Sequence, residues 1–260
     1  MNVALICRLF LVGGRAVSCV ADFVDLAGGP EANFVVLPHA SSVPAEVAPE
    51  FVATLKALGV NESKIRIVMP GEELNLDGAD AVFMLGGDQS RLVDLLAEEG
   101  VAELKRAFKR GVLIGGTSAG AACIGELMIS GGMTDGSTDA STLTTREGLG
   151  LASGLVVDTH FAERKRFPRP PAAMSHGLNK GYGMLTGVGL DEDTAVLIEF
   201  AESGAPKCKV YGQSHVWVYE SVGRRARRVM HRRPRNLGRV SESSFANGDN
   251  FRLKRARAAR

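Results

Sequence analysis

The sequence predicts an α/β fold with a mostly parallel sheet covered on both faces. Three observations point there. Short apolar runs, broken only by Asn33 and Arg66, recur along the first half of the chain, at residues 9–12, 33–37, 65–69, 81–85 and 112–114. Each is closed by Gly or Pro, which end regular structure. Segments of helical spacing lie between several of them, and strands that lack polar alternation have both faces buried.

Residues 9–12 form a first strand, stopped by Gly13-Gly14, and residues 33–37 a second, stopped by Pro38. A helix follows over 45–58, where Val47, Phe51, Leu55 and Leu58 share one face and Gly59 supplies the stop. Residues 65–69 and 81–85 are strands closed by Pro70 and Gly86-Gly87. Asp88 caps a helical region reaching Arg110, interrupted near Gly100. Residues 112–114 make the next strand and 119–128 the helix after it. The Gly-, Ser- and Thr-rich stretch 131–150 reads as a loop or flap. Residues 155–158 return to strand. Segments 195–200, 208–211 and 215–219 have little helix between them and read as antiparallel additions at a sheet edge. No repeat or boundary divides the 260 residues, so one domain is expected.

Composition narrows the function. No apolar run reaches 18 residues, so no membrane span is expected. The first twelve residues lack the charged start and cleavage site of a signal peptide, and Cys7, Cys19, Cys123 and Cys208 show no C-x-x-C spacing. Neither a zinc site nor a disulfide framework is expected, and a cytoplasmic location fits. Charge is uneven. Residues 221–260 carry thirteen Arg or Lys against Glu242 and Asp249, so this segment is +11 and the rest −9 for the net +2. A basic tail suits a polyanion or an acidic patch. Without a base-reading motif, nucleic acid is not the expected partner.

The chemistry centres on Gly115-Gly116-Thr117-Ser118-Ala119-Gly120-Ala121. Gly-x-Ser-x-Gly at a strand-to-helix junction is the nucleophile-elbow pattern, which holds a serine hydroxyl clear of the backbone. The Lys of a Walker phosphate loop is absent. A serine nucleophile needs a base. His160 follows a strand and would sit at its carboxyl end, where open α/β sheets place their sites; His39 also follows a strand and competes. The acid orienting the imidazole is Asp158, Asp191, Glu192 or Asp193, and spacing leaves the four open. In Gly86-Gly87-Asp88-Gln89 the glycines allow close backbone approach, so the N–H groups of Gly87 and Ala119 are candidates for an oxyanion hole. Arg164, Arg166 and Arg169 follow His160 closely enough to clamp carboxylates.

These motifs resemble those of cyanophycinases, serine exopeptidases related to peptidase E. The resemblance runs from about residue 9 to 219 through Leu-Gly-Gly-Asp-Gln (85–89), Gly-Gly-Thr-Ser-Ala-Gly-Ala (115–121), Asp-Thr-His-Phe (158–161) with its three arginines, and Gly-Leu-Asp-Glu-Asp-Thr-Ala (189–195). It implies a three-layer sandwich like class I glutamine amidotransferases, a triad of Ser118, His160 and Glu192, no cofactor or metal, and a homodimer. It implies that Gln89, Asp158, Arg164, Arg166 and Arg169 line the substrate site. The implied substrate is cyanophycin, a polyaspartate backbone whose side chains are amide-linked to arginine, and the implied product is the β-aspartyl-arginine dipeptide. Short aspartyl peptides are the alternative substrate. The chain departs from the family pattern at Thr159, where Gln is usual among the substrate-contacting positions, and at Pro168, Pro170 and Pro171, which are expected to alter the chain path behind the arginines.

Overall fold

The structure is a computed structural model that describes residues 6–133, 136–201, 204–222 and 239–258. Positions 224–235 of the basic segment and Arg260 lie outside the described residues.

Five parallel strands form one side of an eight-stranded sheet. They are β1 (Cys7–Val12), β2 (Phe34–Leu37), β3 (Ile65–Ile67), β4 (Ala81–Met84) and β5 (Leu113–Thr117), in the order β3-β2-β4-β5-β1. Alternate residues of each central strand enter opposite cores. Phe10 and Val12 face one, Leu9 and Leu11 the other.

The first core holds α1 (Cys19–Ala27) and α2 (Pro44–Ala57). There Phe83 meets Phe23 edge-on at 4.8 Å and stacks on Phe51 at 4.6 Å. Burying each such ring contributes roughly 1.5–3 kcal/mol. α3 (Gln89–Lys109) covers the opposite face, with its interruption at Ala97, three residues before Gly100. Asp88 caps it by accepting the Ser90 and Arg91 N–H groups.

The second half differs most from expectation. The helix after Ser118 is a single turn, α4 (Ala119–Ala122), not a helix reaching 128. The chain turns at Gly125 and runs out as β6 (Leu127–Gly131), which pairs with β7 (Thr144–Glu147). The expected flap is therefore largely a hairpin, anchored by buried Met133 and Leu143. β8 (Ala152–Ser153) and β9 (Leu155–Thr159) follow, then α5 (Arg169–Lys180) and β10 (Thr186–Leu190), which runs parallel to β9. Pro170 and Pro171 occupy the first turn of α5, where N–H groups have no helical acceptor, so the prolines start a helix.

β11 (Thr194–Phe200) and β12 (Lys207–Gly212) extend the central sheet antiparallel, as expected. β13 (His215–Val222) does not. It joins β9, β10 and β14 (Arg239–Ala246) in a separate four-stranded sheet. β15 (Asn250–Arg252) closes the central sheet beside β12, and β16 (Arg257–Ala258) pairs with β8. The described part of the basic segment thus docks on the body as strands.

This topology brings five strand ends together. β1, β4 and β5 of the central sheet, and β9 and β10 of the second, all present carboxyl ends to one region. The turn 191–193 carries the chain from the second sheet into the central one.

Candidate active site

Ser118 follows β5 with φ 53° and ψ −114°, a conformation that L-residues rarely adopt. Its N–H donates to the Val12 carbonyl at 3.0 Å, while its own carbonyl accepts from Ala121 and Ala122. This sharp turn aims the hydroxyl away from the backbone, the elbow geometry that the glycine spacing predicts. α4 is too short to add much of a helix dipole. Ala119 is its first residue, so its N–H has no helical acceptor.

The Ser118 hydroxyl lies 2.7 Å from His160 Nε2, and Glu192 Oε1 lies 2.7 Å from His160 Nδ1. The three side chains make one unbroken line of hydrogen bonds. His160 has φ 49° and is held by its N–H to the Gly13 carbonyl at 2.7 Å. Gly14 packs flat against the ring: a Cβ there would lie 2.2 Å from Cε1. Burial, the largest influence, holds the imidazole below its ordinary value; the Glu192 hydrogen bond pulls it up, and Arg164 and Arg166 add to the lowering. A neutral imidazole at neutral pH is the form that can accept a serine proton. His39 does not meet Ser118. It is buried, and its Nδ1 has no partner.

The three successive acids, indistinguishable by spacing, have three separate environments. Asp191 is buried and accepts from the Ala162 N–H, the Ser214 hydroxyl, the His215 N–H and the Trp217 indole. It ties the second sheet together. Asp193 accepts the Val17 and Ser18 N–H groups at 2.9 and 2.7 Å, which pins the entry to α1. Only Glu192 faces the imidazole.

Gly86 and Gly87 follow β4 beside the serine: a Cβ on Gly86 would lie 3.3 Å from Ser118 Cβ. Gly87, at φ 144°, has no room for a side chain against the Ala40 carbonyl. Gln89 is fixed by its amide nitrogen donating to the Ile129 carbonyl at 2.8 Å, which ties the first turn of α3 to the hairpin.

The arginines separate. Arg164 is exposed, whereas Arg169 is only 3% exposed. Arg166, half-buried, donates to Asp158 Oδ1 at 3.2 Å and to the Thr159 carbonyl at 2.9 Å. Arg169 Nε lies 3.1 Å from Asp158 Oδ2 but off the hydrogen-bonding direction. Burial pushes the Asp158 carboxyl up while Arg169 and Arg166 pull against it. Asp158, Thr159 and Arg169 are thus nearly sealed from solvent. One residue without any signal in the sequence motifs stands at the site. Arg15 Nε lies 3.0 Å from Glu192 Oε2.

The cysteine thiols offer no competing nucleophile among the described residues. Burial pushes Cys19, Cys123 and Cys208 up to about 12.

The family model for peptidase family S51 matches residues 9–203. The chain belongs to peptidase family S51. It is 34% identical to the cyanophycinase of Geminocystis herdmanii over 186 residues, covering 68% of this chain and 66% of that protein. It is 35% identical to the cyanophycinase of Synechococcus elongatus over 197 residues, covering 72% of this chain and 59% of that one. The chain therefore matches roughly three-fifths to two-thirds of these relatives' own lengths. A crystal structure of a peptidase from an acI-B1 Actinobacterium has the same fold, with a TM-score of 0.61 at 19% identity over 96% of this chain and 98% of that one. Among the described residues, no helix is long and apolar enough to cross a membrane.

Proposed function

We propose that this S51 member is a cyanophycinase-like serine exopeptidase, with Ser118 as nucleophile, His160 as base and Glu192 as the acid that orients it. The observation carrying this reading is the line Ser118–His160–Glu192, with both hydrogen bonds at 2.7 Å. Glu192 fixes the tautomer that bears its proton on Nδ1, which leaves Nε2 free to accept from serine.

The reaction follows from that geometry. His160 takes the Ser118 proton as the hydroxyl attacks an aspartyl carbonyl. The N–H groups of Gly87 and Ala119 hold the developing oxyanion. The imidazolium then gives its proton to the departing amine, and water, activated by the same imidazole, releases the acyl-enzyme. Each oxyanion donor lowers the barrier by about 3 kcal/mol in comparable sites.

Gln89 and the segment behind His160 form the proposed substrate wall. Arg164 is the guanidinium free to meet a substrate carboxylate. Arg166 reaches the same side while anchored to Asp158 and the Thr159 carbonyl. Asp158, Thr159 and Arg169 act from beneath, holding Arg166 in place. The aspartyl side chains of cyanophycin are amidated, so the carboxylates it offers these cations are those of the attached arginines and of the chain end.

The test compares rates on cyanophycin and on short aspartyl dipeptides. Faster release of β-aspartyl-arginine from the polymer supports the proposal. Cleavage of dipeptides with no attack on polymer would replace it with a dipeptidase.

A further inference from the structure

We propose that Arg15 is a positioning residue of the triad, holding the Glu192 carboxylate in the plane that His160 requires; this rests on the triad reading above. Glu192 uses Oε1 for His160 and Oε2 for Arg15, at 2.7 and 3.0 Å. A carboxylate held by one oxygen can swing about its last torsion, which is broad. A second donor on the other oxygen removes that freedom.

The segment carrying Arg15 is itself fixed at both ends. Gly13 N–H donates to the Thr194 carbonyl, and the carbonyls of Gly13 and Gly14 accept from His160 and Asp193. Beyond Arg15, Val17 and Ser18 donate to the Asp193 carboxylate. Arg15, at φ 44°, projects from a loop tied to the imidazole and to the acid turn together. Glu192's own N–H is held as well, by Glu163 Oε1 at 3.1 Å.

Two effects of Arg15 oppose each other. Its charge disfavours an imidazolium nearby, while its hydrogen bond fixes the acid that the imidazolium needs. Distance decides between them. Arg15 touches Glu192 Oε2 at 3.0 Å, whereas His160 lies beyond the carboxylate on its other oxygen; with the Arg15 side chain 78% exposed, both effects are modest. The other charges around the pair are Glu163, Arg164 and Arg166 after β9, and Asp191 and Asp193 flanking Glu192; none is placed on Glu192 Oε2.

The test uses a fluorophosphonate probe, which phosphonylates an activated serine with loss of fluoride. Wild-type protein should label at Ser118, and Ser118→Ala should not. Arg15→Ala should label about five-fold more slowly, with a melting temperature within about 2 °C of wild type. Arg15→Lys, or millimolar guanidinium added to Arg15→Ala, should restore most of the rate, which a merely structural defect would not allow. Labelling of Arg15→Ala at or above the wild-type rate, or slowing that neither lysine nor guanidinium repairs, overturns the proposal alone. Wild type that fails to label at Ser118 overturns the triad reading, and this proposal with it.

Discussion

Gly14→Ala should cripple the site while leaving the protein folded. The new methyl would lie 2.2 Å from His160 Cε1 and 2.7 Å from each ring nitrogen, where ordinary contact begins at 3.4 Å. The imidazole must retreat by about 1.2 Å to restore contact distance. Both of its hydrogen bonds are 2.7 Å long, and such bonds tolerate about 0.5 Å before weakening. A displacement of ~1 Å at a reacting group costs about 100-fold in rate. Strain adds a separate effect: alanine at φ 126° costs roughly 1–3 kcal/mol of stability. Gly71→Ala separates the two. Gly71 has φ 93°, and a Cβ added there would meet nothing within 4 Å, so it bears the strain without the clash. Thermal melts should show both variants destabilised, and fluorophosphonate labelling should show only Gly14→Ala slowed, by about 100-fold. Folded Gly14→Ala labelling within three-fold of wild type would refute the idea that imidazole position limits reactivity.

Further outcomes follow from the site. The proposed base, His160, must be neutral to act and is held below its ordinary 6.5, so activity should persist as pH drops past 6.5 and fall only at lower pH. Glu192→Gln removes the partner that raises His160; a pH–rate profile should show the acid limb moved lower still, and a rate reduced about 10⁴-fold, the scale seen when other serine triads lose their acid. Asp158→Asn leaves the Arg166 and Arg169 guanidiniums without their buried counter-charge, and calorimetry should show a loss of about 3–5 kcal/mol. An unchanged melting temperature would mean that the two arginines find other partners.

How much of this is legible in the sequence depends on the range of the contacts. The five parallel strands of the central sheet are readable because each is a short apolar run closed by Gly or Pro, whereas β10, with Gly187 and Gly189 within five residues, is not among the expected strands. The elbow is readable because Gly116, Ser118 and Gly120 are local. α1 escapes the strand-and-stop reading, although Cys19, Val20, Phe23 and Val24 mark its buried face and Gly28 its end. The run 119–128 resembles one helix because both a helix turn and a buried strand are apolar there, and Gly125 is the only punctuation between them. The stretch 131–150 resembles a flap because its polar composition hides Met133 and Leu143, which anchor it in a third core. α5 is masked by Pro170 and Pro171, which look like an obstacle but begin the helix. The roles of Asp191, Glu192 and Asp193 are beyond local reading. Asp193 meets Val17 across 176 residues, and Glu192 meets His160 across 32, so only the assembled sheets distinguish them.

The most direct measurement is product release from cyanophycin by the wild-type chain and by Ser118→Ala, read by mass spectrometry. Wild type should release β-aspartyl-arginine, and Ser118→Ala should release none above background. Equal release by both, or none by wild type, would contradict the account.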